Sequence, residues 1–62
     1  MPFNEAQHRQ ETLDWYLQLA ELPPWRAYVW ARVNEIAEEH PAMHHDLPAR
    51  LVAAVRARKA KE

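Results

Sequence analysis

The stretch His40-Pro41-Ala42-Met43-His44-His45-Asp46 is the part of this chain best equipped to hold a metal. Zinc takes three or four N or O ligands at about 2.0–2.2 Å, so His40, His44, His45 and Asp46 are the candidate ligands. Histidine pairs that bind metal normally stand on rigid secondary structure, whereas this stretch straddles a proline-broken connection. The competing role is plain: His40 closes the carboxyl end of the preceding helix, and the other imidazoles stay in water. No metal or other cofactor is therefore expected. Because an unperturbed imidazole titrates near 6.5, a weak pH response is the chemistry these residues retain.

Glu35, Glu38 and Glu39 form a second cluster beside Arg32. Paired carboxylates can do acid/base work, but only against a substrate held in a pocket. Nothing in the chain offers such a loop, so they read as a solvated face. There is no glycine, no serine and no cysteine, and Thr12 is the sole aliphatic hydroxyl. Those absences remove phosphate-cradling loops, dinucleotide fingerprints and the usual acyl-transfer nucleophiles. An enzyme is not expected.

The basic residues Arg50, Arg56, Arg58, Lys59 and Lys61 gather near the carboxyl end. They are the residues that a nucleic-acid-associated regulator would use, since such binding needs cations tracking phosphates from one face. On a helical wheel, however, the five spread almost all the way round. No homeodomain, zinc-finger or basic-zipper signature accompanies them, and His40–Asp46 is unlike the short turn of a helix-turn-helix.

The richest feature is aromatic. Trp15, Tyr16, Trp25, Tyr28 and Trp30 fall within sixteen residues, around Leu22-Pro23-Pro24. Trp and Tyr dominate binding hot spots because each covers a large area at small entropic cost. A chain this short also needs them as core. Trp25 and Trp30 share a stripe with Val29 and Val33 and are expected inside. Trp15, Leu19, Leu22 and Tyr28 lie off the stripes and are the candidate partner-binding residues.

The elements that position these groups are set by proline. Leu22-Pro23-Pro24 forces extended backbone and ends one helix; His40-Pro41 ends a second; Pro48 suits the first turn of a third. The pattern predicts helices at about 4–21, 24–39 and 47–60. Asn4 is a strong N-cap, with Gln7 completing a capping-box pattern. Ala6, Leu13, Tyr16, Leu17 and Ala20 make one stripe of the first helix, and Trp15, Leu19 and Leu22 lie nearly opposite. The second helix carries Trp25, Val29, Trp30, Val33, Ile36 and Ala37 on one arc, interrupted by Arg26 and His40. The third opens at Asp46 as its N-cap and buries Leu47, Leu51, Val52, Ala54 and Val55.

The expected fold is all-α: one domain over 1–62, a helical hairpin with a third helix folded across it. At 62 residues without cysteine, its core is thin and disulfides cannot staple it. Self-association is the expected remedy, as a homodimer using the second apolar face of the first helix. The net charge of −1 hides a dipole, with −5 over 1–46 (three basic, eight acidic) and +4 over 47–62 (five basic, one acidic). No run of about 18 apolar residues exists and the amino terminus lacks a signal-peptide pattern, so no membrane association and a cytoplasmic setting are expected.

With alanine abundant and arginine outnumbering lysine, the composition looks like a GC-rich bacterial or phage coding sequence. A glycine-free helical chain of this size is similar in general style to small phage or mobile-element proteins that bind and redirect a host machine. The likeness is one of composition and rests on no motif. Together these readings predict a small helical protein–protein interaction module, an adaptor or an inhibitor of a larger machine. A transcriptional regulator using the basic end and a metal binder using the histidine stretch are the alternatives.

Overall fold

In a computed structural model that describes residues 2–61, the chain forms three long helices and one single-turn helix. These are α1 (Glu5–Ala20), α2 (Pro23–Glu39), α3 (Pro41–His44) and α4 (Leu47–Lys61). The architecture is all-α, a hairpin of α1 and α2 with α4 packed against both. No described residue has a positive φ, which is why a chain without glycine can make every turn it needs.

Asn4 starts α1: its Oδ1 accepts the Gln7 backbone N–H at 3.0 Å. The other half of the expected capping box is not made. Gln7 instead turns its amide forward, donating Nε2 to Glu11 Oε1 at 3.0 Å. Phe3 precedes the cap and lays its ring 5.5 Å from that of His8, in the N′–N4 positions of a hydrophobic staple.

The break at 21–22 follows from the prolines. Leu22 is extended, at φ −91° and ψ 110°, as a residue before proline must be. Pro23 and Pro24 then occupy the first turn of α2, where a missing N–H costs nothing. Arg26, the intruder in the apolar stripe of α2, reaches back and donates Nε to the Ala20 carbonyl at 3.0 Å. It satisfies one of the carbonyls that the end of α1 leaves without a helical partner.

The core consists of Leu13 and Ala20 from α1, Val29, Val33 and Ile36 from α2, and Leu47 and Leu51 from α4. Tyr16, Leu17, Leu19, Trp30 and Val55 pack around it. Four side chains are fully buried: Val29, Val33, Leu47 and Leu51. Trp25 is a correction to the stripe expected from sequence, because it is 49% exposed. The packed side of α2 runs from Val29 and Val33 toward Arg26 and Trp30, which line a groove against α1 and α4. Trp25 stands on the other flank, in the first turn, against Tyr28.

The stretch expected as a loop contains α3. Pro41 opens it without needing an N–H donor, and the His44 N–H bonds the His40 carbonyl at 2.8 Å. His40 itself ends α2, its N–H bonded to the Ile36 carbonyl at 2.8 Å. Asp46 precedes α4, and its carbonyl accepts from Arg50 N–H at 2.9 Å. Its carboxylate is not used as a cap: both oxygens accept from Arg9 Nη2, at 2.8 and 2.6 Å. That pair ties the start of α1 to the start of α4, across 37 residues of sequence.

Candidate functional site: an aromatic face on the helical hairpin

Four large apolar side chains stand about half exposed on the hairpin: Trp15 at 59%, Leu22 and Tyr28 at 51%, and Trp25 at 49%. Their placement is orderly. Leu22, Trp25 and Tyr28 are spaced by three, so they follow one flank of α2 from its N-cap. Arg32 continues that row one turn further. The Trp25 and Tyr28 rings meet edge to face, 5.8 Å apart at 80°, which fixes their relative orientation without hiding either. Trp15 joins from α1, since it and Arg32 line the same groove.

The helical members of this row, Trp25 and Tyr28, lie about 60° and about 120° around α2 from the middle of the buried Val29–Val33 side, at about 100° per residue. They therefore flank the core instead of opposing it, each about half exposed. Beyond Arg32 the surface changes character. Arg32 Nη1 contacts Glu35 Oε2 at 3.2 Å and Glu39 Oε2 at 3.8 Å, closing the apolar strip with an ionic border. The hydrogen bond to Glu35 is the main cause holding the Arg32 pKa above its ordinary value.

Of the partner-binding candidates from sequence, Trp15, Leu22 and Tyr28 are on this surface. Leu19 is half-buried and packs against the molecule's own core. Trp25 was missed, because spacing alone placed it with Val29; the clue available was its position in the first turn beside two prolines.

The four candidate metal ligands do not come together as a set, although His40 and His44 line one groove. Asp46 is held by Arg9, His45 Nδ1 lies 3.1 Å from the Pro41 carbonyl, and His44 is buried at 5% exposure while His40 is open. Among the described residues no group of three His, Asp or Glu is disposed to hold a metal ion. The basic residues also diverge. Arg58 pairs with Glu21, and Arg50 turns inward, its Nη2 3.5 Å from Gln10 Oε1. Arg56, Lys59 and Lys61 remain exposed.

No family model matches the chain, and no curated protein or solved structure shows significant similarity to it. The surface itself is the guide. Among the described residues no helix is long and apolar enough to cross a membrane, so the exposed aromatics are not part of a spanning segment.

A second concavity, of about 550 Å³, lies between the end of α1 and the end of α4, with Leu17, Ala20, Trp30 and Val55 at its base. Arg26, Arg58 and Lys59 rim it. Two of these cations are already engaged, Arg26 with the Ala20 carbonyl and Arg58 with Glu21.

Proposed function

We propose that this chain is a small helical protein–protein interaction module that associates with its own copy through the aromatic face, and that the same surface lets it act as an adaptor or inhibitor of a larger protein. The observation that carries the reading is the row Leu22, Trp25, Tyr28 with Trp15 beside it, each about half exposed, running from the N-cap of α2 along the hairpin. Isolated exposed apolar residues are ordinary, but a contiguous row of large ones marks an interface. The aromatics are pre-ordered by their helices and by the Trp25–Tyr28 edge contact, so little entropy is lost when they are covered.

The surface area supports the same reading. The chain exposes 4719 Å², whereas about 4,200 Å² is usual for a folded monomer of this mass. The excess of about 500 Å² is of the order that one partner contributes to a modest interface. A two-fold dimer would place each row against its own copy, giving a thin core the additional burial that small domains need.

The test uses two differently tagged copies expressed together. Wild-type copies should co-purify, and the variant Trp15→Ser, Leu22→Ser, Tyr28→Ser should not, while its circular dichroism stays helical. Equal co-purification of the variant would remove this face from the account.

A further inference from the structure

The corner where α1, α2 and α3 meet contains a group that the interaction reading does not use. His44 is 5% exposed and its Nδ1 has no hydrogen-bond partner in the protein. A buried polar nitrogen left this way is uncommon and costs stability, so its retention asks for a reason. The His8 ring, from α1, lies over it at 5.7 Å and 52°. His40, from the end of α2, lines the same groove as both, together with Glu11 and Arg32.

The charged groups around His44 are mostly cationic or able to become so. From α1 come His8 and Arg9, and from the α2 end His40. Asp46, before α4, and Glu11, which lines the groove, are the opposing charges, and Arg9 already holds both Asp46 oxygens. Neutral, the His44 imidazole is buried at this corner with the tilted His8 ring against it. Charged, His44 would be a cation out of water in a corner that already holds Arg9.

We propose that His44, with the His8 ring against it, is a proton-operated latch: neutral, it holds the 40–46 connection against α1, and protonated, it releases it. The released segment leads directly into Leu47, a fully buried residue, so opening the corner also loosens the seating of α4. Burial is the first cause that lowers the His44 pKa, followed by the neighbouring His8, His40 and Arg9, in agreement with this geometry. The proposal concerns the free chain and does not depend on the interaction reading.

The sign follows from linkage. A histidine whose folded-state pKa lies below its unfolded value leaves the unfolded chain holding more protons. Stability is then full above about pH 6.5 and falls as the solution is acidified through that value. Asp46 is ionised throughout this range, because its Arg9 hydrogen bond lowers its pKa below the ordinary carboxylate value, so the Arg9–Asp46 pair does not contribute to the loss.

The experiment is urea unfolding of the full chain at several pH values between about 7.5 and 5, repeated at tenfold lower protein concentration to separate folding from association. The folded-to-unfolded ratio of the wild type should fall by up to about tenfold per pH unit for each proton taken up. His44→Phe should lose most of that dependence, and the exposed His45→Gln should keep it. If His44→Phe does not fold, an NMR titration of the wild-type imidazoles decides. His44 should titrate below the ordinary histidine value, and His8→Gln should move it upward. A wild-type pH slope retained in His44→Phe, or a His44 titration at or above about 6.5, would overturn the latch.

Discussion

Arg26 looks out of place in the sequence of α2, a cation within an apolar stripe, until its guanidinium is seen bonded to the Ala20 carbonyl. Asp46 is the converse case: it reads as a helix cap and works as a clasp, with both oxygens on Arg9. The largest influence on Asp46 is that hydrogen bond, which favours the ionised form and depresses its pKa. A carboxylate depressed in the folded state contributes stability above its unfolded value, and the contribution is lost as pH falls through the folded one. Acid unfolding should therefore show a loss below about pH 3.8, separate from any histidine effect and absent in Asp46→Asn. A low-pH limb unchanged in that variant would mean the clasp contributes nothing to folding.

Among the elements, α2 organises the molecule, because it supplies three of the buried apolar side chains and meets every other helix. Val33 is fully buried at its centre, so Val33→Asp places an unpartnered charge there at a cost of several kcal/mol. The variant should lose its helical circular-dichroism signal; an unaltered spectrum would contradict the buried face. The hairpin turn makes a second prediction. Replacing Pro23 and Pro24 with alanine removes the block on helical backbone at Leu22 and should shift small-angle scattering toward a longer, straighter particle. Unchanged scattering would show that packing and the Arg26–Ala20 bond set the bend.

These elements were legible because their signals are local: proline positions, Asn4 as cap, and the period of Leu13, Val29, Val33, Leu47 and Leu51. The single turn α3 was hidden because Pro41 reads equally as a stop and as a first residue. Arg9–Asp46 and His8–His44 could not be read at all, since each joins residues more than thirty apart and neither leaves a mark in periodicity. Trp25 was misplaced for a related reason: phase tells which side of a helix a residue is on, but not how far the neighbours extend along it.

At the scale of the whole molecule, the shape and the thin core point the same way. The radius of gyration is 12.0 Å and the longest axis 37 Å, against about 10.5 Å expected of a chain this size in a rounder fold. An elongated hairpin leaves flanks that one crossing helix cannot cover, and the aromatic row lies on such a flank. Core truncation should therefore be severe. Leu51→Ala removes a fully buried side chain from α4 and should cost about 2–5 kcal/mol, enough to leave much of the chain unfolded at room temperature. A cooperative thermal transition close to the wild type would place the stabilising contacts elsewhere.

Self-association through Trp15, Leu22, Trp25 and Tyr28 is the central claim, and sedimentation equilibrium over a concentration series reaching the high micromolar range tests it most directly. The wild type should move from monomer to dimer across the series, with a melting temperature that rises alongside. Trp15→Ser, Leu22→Ser, Tyr28→Ser should remain monomeric throughout. A wild type that sediments as a monomer at every concentration would contradict the claim.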